Sequence, residues 1–535
     1  GTAYQPLGSM SESKLTRQQR DADLFLGTDN LKIVDDLSVT AFVGVNQNYV
    51  NSESVSASGS QFIVPFLYNV KNTQNQGNGY GFNERQINSV YGSAEIGYKD
   101  AIFLNVTARN DWFSTLSLAG KEAPNDDLYT SASLSVVLSD LLELPEVISF
   151  AKLRAGYSQV AGGAGNPYRL NLTYSIVDQG HQGASLGRIS NGSIPNSEIT
   201  PFEKNETEIG LDLRLFDNRF SVDFTYYDNQ TDGDIVGVSA SPTSGYGSAL
   251  ANLGVITNEG VELLINANAV RSDDFDLNFT FNYANNTSEI VSTNDAGTNL
   301  SLDEPRSRNL RVTHIVGEQY GALFGTSYNR DSQGRIIHDI EADGTPIPQV
   351  GPRKILGFGV SPVSLGFGSN MRYKNLSLSF LIEGKNGGQM FSGTNALAKY
   401  FGAHKATIDA DGRENGFTVS GVDANGSAFT TTIAPDRIED YWRRTYQIAE
   451  EAIYDSNYLR LRQVSLGYRI PGDVLENTFI SSARVSLIGR NLFLLSNSVE
   501  NVDPESGYNV SNSQGLEWFG MPVPRSLGLN VNLKF

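Results

Sequence analysis

The chain ends on "PVPRSLGLNVNLKF", residues 522–535, in which Leu527, Leu529, Val531, Leu533 and Phe535 take every second place and Gly528, Asn530, Asn532 and Lys534 lie between them. Side chains alternate across a pleated strand, so this spacing gives one apolar and one polar face. The same period returns along most of the chain. "FDLNFTFNY" sets Phe275, Leu277, Phe279, Phe281 and Tyr283 against Asp276, Asn278, Thr280 and Asn282. "AKLRAGYS" separates Ala151, Leu153, Ala155 and Tyr157 from Lys152 and Arg154, and "IGLDLRL" separates Ile209, Leu211, Leu213 and Leu215 from Asp212 and Arg214. Further strands are expected near 22–33, 37–47, 86–98, 101–111, 129–139, 219–231, 256–270, 312–328, 356–373, 375–386, 457–470 and 482–495. The total is about sixteen. Many reach ten residues, long for a sandwich and suited to tilted strands that cross a bilayer.

The connections alternate as well. Short turns fall at Lys99-Asp100, Asp217-Asn218, Asp273-Asp274 and Lys374-Asn375. Long connections fall at 48–85, 112–128, 159–204, 232–254, 292–311, 387–456 and 496–524. Tight turns at one end and extended loops at the other are the asymmetry of an outer-membrane barrel. A soluble sandwich gives no reason for every second loop to be long, and structureless loops of this length belong to function. The expected fold is therefore an all-β, antiparallel transmembrane β-barrel, with polar faces lining the lumen and apolar faces meeting outer-membrane lipid. Leu277, Phe279, Phe281, Leu529 and Val531 should face lipid; Arg154, Arg214, Asp276, Asn278 and Asn530 should point inward.

Composition narrows the function. Hydrophobic residues make up 39%, and no apolar run approaches the length of a membrane-spanning helix. Gly is abundant at 53 residues and Cys is lacking, so there is no disulfide framework and no thiolate metal site. A net charge of −19 argues against nucleic acid as a partner. No zinc-protease, Walker or nucleophile-elbow motif occurs. "GNGYGF" (Gly77, Gly79, Gly81) reads as a polar loop that opens no helix, and His181, His314, His338 and His404 lack ligand spacing. "DADGRENG" begins like a calcium loop at Asp409 and Asp411, but Arg413 stands where an oxygen donor belongs. Neither a catalytic residue nor a cofactor is expected. The candidates for contact with a ligand or a covering partner are aromatic: Trp112 after "RND", Trp442 in "DYWRRTY", and Trp518 and Phe519 in "LEWFG". Interfacial girdles also use such residues.

Several stretches resemble the SusC/RagA family of TonB-dependent outer-membrane transporters of Bacteroidetes. "SNYLRLRQVSLGYRIP" (456–471), "GRNLFLLSN" (489–497), "VDPESGYN" (502–509) and the closing "PVPRSLGLNVNLKF" carry the resemblance most strongly. "EKNETEIGLDLRLFDNRFSVDFTYYDNQTDGDI" (203–235) and "NEGVELLIN" (258–266) are similar to its mid-barrel hairpins. The resemblance implies a barrel of about twenty-two strands filled by a plug. Residues 1–535 would supply its C-terminal portion, with the plug and first strands having no counterpart before Gly1. It also implies active import of oligosaccharides or peptides, a SusD-like lipoprotein over the outer mouth, and a TonB complex acting through the plug. Phe535 resembles the terminal aromatic read during barrel assembly, and strand 525–535 is expected to pair with 482–495 and not with 1–35. Two other functions fit the same pattern: a passive porin of about sixteen strands, and an outer-membrane adhesion or assembly protein.

Overall fold

The computed structural model describes residues 7–118, 120, 124–182, 184–189, 192–252, 254–293, 297–303, 309–408, 412–507 and 513–535. Fifteen strands form the main sheet, each bonded to the next in chain order. They are β1 Ser9–Val34, β2 Leu37–Phe62, β3 Thr73–Tyr98, β4 Ile102–Phe113, β5 Asp126–Val137, β6 Ile148–Gly162, β7 Phe202–Leu215 and β8 Phe220–Asp232. The order continues through β9 Val255–Arg271, β10 Phe275–Ile290, β11 Val363–Tyr373, β12 Leu376–Asn386, β13 Tyr458–Arg469, β14 Ser482–Asn497 and β15 Ser526–Lys534. No helix among the described residues is long and apolar enough to cross a membrane.

Contacts divide the chain into two compact units, one of residues 1–135, 156–206 and 231–253 and one of residues 136–155, 207–230 and 254–535. In the first, β1, β2 and β3 are each twenty-six residues long. Even tilted by about 45°, such strands rise roughly twice the thickness of the hydrocarbon core. The register runs unbroken along β2 and β3 from Leu37↔Tyr98 to Gly59↔Gln76. The segment 48–85, expected as a loop, is therefore mostly a hairpin, and "GNGYGF" is strand. Gly77, Gly79 and Gly81 stand opposite Ser58, Ser56 and Ser54. Small polar residues on both faces leave no hydrophobic period to read, and the ladder is propagated by pairing. At Lys99 and Asp100 both φ angles are positive (54° and 53°), the form that suits the twist of a tight hairpin.

In the second unit the polar and apolar faces separate as expected. Arg154 Nε lies 3.1 Å from Glu208 and Nη2 lies 2.9 Å from Asp223, with Thr225 on the same guanidinium. Gly210 makes room for this: a Cβ there would sit 2.4 Å from the guanidinium. Asp276 pairs with Arg372 on the face that also carries Asn278. On the other face Phe279 and Phe367 stack at 5.9 Å, and Phe380 joins at 5.8 Å. The final strand β15 pairs with β14 from Ser482↔Lys534 to Arg490↔Ser526, the partner expected for it. Leu529 and Val531 on it are exposed.

One expected strand lies elsewhere. Residues 312–328 belong to a separate four-stranded sheet of Leu300–Asp303, Leu310–His314, Ala322–Tyr328 and Val350–Phe358. The expected strand 356–373 is likewise split, its front joining that sheet and its back becoming β11. "GEQYGA" (317–322) interrupts the run, and Gly317 and Gly321 take φ of 81° and 77°. That backbone is ordinary for glycine and costly for other residues, so the chain turns there.

Candidate functional site

The long connections are folded modules. In the second unit, Leu310, Val312 and Leu323 of the four-stranded sheet bury against Phe391, Ala396, Ala449, Ala452 and Leu516. Helix α1, Gly393–Tyr400, begins beside the candidate segment Trp518–Phe519. Ser392 caps it by accepting the Asn395 N–H at 3.1 Å, and the Ser392 hydroxyl donates to Glu517 at 2.7 Å. Glu517 is 1% exposed and also accepts from the Thr394 hydroxyl (2.5 Å) and the Gly520 N–H (3.2 Å). A buried carboxylate is tolerable there because the helix start offers unpaired N–H groups and a positive dipole end. Trp518 stacks on Phe391 at 6.3 Å, and its ring lies where a Cβ on residue 393 would fall, so Gly393 is required. Phe519 is held at φ 53°, its N–H donated to Thr394 Oγ1 at 2.8 Å, and its side chain is exposed. Of this pair, Trp518 packs and Phe519 is presented.

The connection 496–524 is tied to β13 by ions. Arg460 Nη2 lies 2.6 Å from Asp503, and Nε lies 3.0 Å from Glu505, off the hydrogen-bond line. Arg462 reaches Glu383 at 2.6 Å and Glu505 at 2.8 Å, and donates to Asn491 Oδ1 at 3.0 Å. The Tyr458 hydroxyl donates to Glu505 at 3.0 Å. Arg460 is buried, and the Asp503 side chain is only 9% exposed. Asp503 is held below the ordinary carboxylate range by Arg460 and by the N–H groups of Glu505 and Val523, against the opposing effect of its burial. Glu383 and Asn491 come from the flanking strands β12 and β14, while Tyr458, Arg460, Arg462, Asp503 and Glu505 come from the two stretches "NYLRLRQV" and "VDPES". Their alternation put Arg460 and Arg462 on one face, but no spacing rule named their partners.

The remaining candidates separate. Trp442, in α2 (Ile438–Thr445), is 6% exposed in a cluster with Val419, Ile433 and Ile438, and its ring contacts Phe417 and Tyr441. It offers no face to a ligand. Trp112 is 39% exposed and lines a cavity of about 650 Å³ in the first unit. Phe535 is exposed and stacks on Phe479 at 5.7 Å. Asp409 and Asp411 lie outside the described residues, and Arg413 donates to Gly402 and Thr407. His314 is buried against Tyr320, and burial lowers its pKa to about 4. Between about pH 4 and 6.5 the folded module therefore keeps it neutral where the unfolded chain protonates it. The stability it contributes is complete above about pH 6.5 and is lost as pH falls toward 4. Amide protection factors across 310–328, exchange rates corrected for their intrinsic pH dependence, should fall between pH 7 and pH 5 in the native protein and change less in His314→Phe.

Comparison with known proteins supplies the frame for these parts. The family described as TonB dependent receptor-like, beta-barrel matches residues 2–532. TonB-dependent receptor P3 of Formosa agariphila is 26% identical over 487 residues, 85% of this chain and 46% of its own length. TonB-dependent receptor SusC of Bacteroides thetaiotaomicron is 24% identical over 358 residues, 63% of this chain and 32% of its own length. The structure of the RagAB peptide transporter superposes with a TM-score of 0.77 at 16% identity, covering 98% of this chain and 56% of that one. The chain spans about half the length of P3 and about a third of that of SusC. The protein is an outer-membrane β-barrel with SusC/RagA likeness, and the chain belongs to the TonB dependent receptor-like, beta-barrel family.

Proposed function

We propose that this protein imports oligosaccharides or peptides across the bacterial outer membrane, driven by TonB and assisted by a SusD-like surface lipoprotein. The observation that carries this reading is the family match across residues 2–532. The likeness to SusC and to the RagAB fold supports the choice of cargo class and of a lipoprotein partner. In this reading residues 1–535 are a barrel portion, and the outer part of the hairpin 48–85 and the long connections near 112–128, 159–204, 232–254, 387–456 and 496–524 act outside the membrane. Phe519 and Trp112 are the aromatic contacts offered to cargo or lid; Trp518 sets the position of Phe519. Phe535 serves barrel closure and assembly.

The test is uptake of labelled glycan and peptide pools by cells with and without TonB. Accumulation should fall to background without TonB and under a protonophore. Uptake that persists at full rate in both conditions would favour a passive pore. A second expectation concerns the connection itself: deleting 502–520 should weaken uptake while leaving the heat-resistant barrel band intact, since the described residues among them lie outside the main sheet.

A further inference from the structure

In the first unit the register of β1 on β2 is unbroken from Ser9 to Thr28, and that of β2 on β3 from Leu37 to Ser60. Every side chain there belongs to a definite face. Leu24, Val43, Val45 and Val90 share one face and are exposed, the lipid side of a barrel. Arg17 and Arg85 lie on the other face, which lines the lumen. Arg17 stands opposite Ser52 and Arg85 opposite Val50. Two strand spacings and two residues of offset set their Cα atoms about 12 Å apart. The continuous apolar band ends at the row Leu24–Val45–Val90, and the two arginines lie roughly 12–16 Å farther from the tight turn at Asp35-Asp36 than that row. They face the outer mouth, above the level of the hydrocarbon.

Gly165, Asn166 and Pro167, from the connection after β6, meet this polar face and enclose with it a cavity of about 560 Å³. Leu15, Arg17, Val50, Ser52, Asn83 and Arg85 line it from the sheet. Val50 is 7% exposed beneath it. Among the described residues neither Arg17 nor Arg85 has a carboxylate within ion-pair distance, in a chain with 59 acidic residues against 40 basic ones. The acid in the cavity wall is Glu84, and its carboxylate is turned to the opposite face, where it accepts the Tyr49 hydroxyl at 2.8 Å. Asp21, farther along the polar face of β1, accepts from Asn46 at 2.8 Å and from Asn48 at 3.2 Å. The cavity therefore holds two guanidinium forks, an amide and a hydroxyl, with no anion of its own.

We propose that this cavity binds a peptide bearing Asp or Glu, with a side-chain carboxylate on Arg17 and Arg85 and a neighbouring apolar side chain against Leu15 and Val50. A guanidinium fork matches a carboxylate two hydrogen bonds at a time. The Asn83 amide and the Ser52 hydroxyl suit the N–H and C=O groups of an extended backbone. An acidic glycan would satisfy the same forks, but none of the residues that line the cavity is aromatic, so no ring face is offered to a pyranose. In a chain of net charge −19 the surface as a whole repels an acidic peptide. A locally cationic pocket gives such a peptide one place to settle.

The proposal names a cargo class within the import reading and rests on that reading for its physiological meaning, but it is tested by binding. The receptor purified from outer membranes in detergent is titrated with tetraglutamate, tetraglutamine and tetragalacturonate. Tetraglutamate should bind at least about tenfold more tightly than either of the others. Arg17→Ala with Arg85→Ala should bring tetraglutamate to the level of tetraglutamine, with the heat-resistant barrel band unchanged. Arg20→Ala is the control for general charge. It removes the same charge three residues along β1 but on the opposite face, where Arg20 lies over the Tyr49 ring at 5.7 Å. Screening should hold its effect on tetraglutamate to within about twofold. Equal binding of tetraglutamate and tetraglutamine, preference for tetragalacturonate, binding that survives the double substitution, or an equal loss in Arg20→Ala overturns the site. Uptake of labelled pools with and without TonB is measured in parallel. TonB-dependent uptake without tetraglutamate binding means that only the site is wrong; tetraglutamate binding with uptake indifferent to TonB means that the import reading is wrong.

Discussion

Arg460→Ala will release the connection 496–507 from the sheet, at a cost of about 3–5 kcal/mol to that connection's docking. The magnitude follows from burial. Arg460 and Asp503 side chains are 4% and 9% exposed, so removing the guanidinium leaves Asp503 uncompensated in a site that water scarcely reaches. Arg462→Ala will cost less, because Arg462 and Glu505 are each about a quarter exposed and solvent screens what remains. Limited proteolysis is the readout. Cleavage within 496–507 should appear in Arg460→Ala under conditions where the native chain and Arg462→Ala resist, with the heat-resistant barrel band unchanged in all three. An Arg460→Ala protein as resistant as the native one would mean that the neighbouring contacts, chiefly Glu517 with Ser392 and Thr394 and the Trp518 stack, hold the connection without the ions.

Phe279→Arg will destabilise the inserted protein by about 2–4 kcal/mol, the cost of a guanidinium on the lipid face near the bilayer midplane. Phe279 lies in β10 four residues after its start at Phe275, beyond the tight turn at Asp273-Asp274, which puts it near mid-membrane for a tilted strand. It also stacks on Phe367, so the substitution removes an aromatic pair as well. Asn278→Arg is the control. It lies on the opposite face, beside Asp276, Arg372 and Arg484 in a polar cavity of about 600 Å³, and should change stability by well under 1 kcal/mol. Refolding into detergent or lipid against urea measures both. Equal effects at 278 and 279 would mean that the two faces of β10 do not differ in environment.

The strands of the main sheet were legible because alternation is a local property. Where one face is apolar and the other polar, as in 275–283 or 527–535, the letters declare both strand and face, and the register of β10 with β11 and of β14 with β15 agrees with them. Legibility failed where that contrast was missing. Ser54, Ser56 and Ser58 against Gly81, Gly79 and Gly77 carry no contrast, yet they pair as cleanly as any strand here. It failed again at 312–328, where the letters read as one strand but form two, Leu310–His314 and Ala322–Tyr328, and could not say which sheet would receive them.

For the contact residues the division is sharper. Sequence alone marked Trp112, Trp442, Trp518 and Phe519 by chemical type, since large rings are the side chains able to serve a ligand. Only the tertiary structure separated them, because exposure depends on what folds against a ring. Trp442 is enclosed by Val419, Ile433 and Phe417 from a separate hairpin, while Trp112 is left half open beside a step between strands of unequal length. The pairing of Arg460 with Asp503 and of Ser392 with Glu517 spans 43 and 125 residues of chain. Local periodicity constrains neighbours a few residues apart, and partners at such separations are chosen by packing and by the need to satisfy every buried charge. The alternation determined that the chain is built of strands with two unlike faces; the folded connections decided which aromatic and charged groups those strands present.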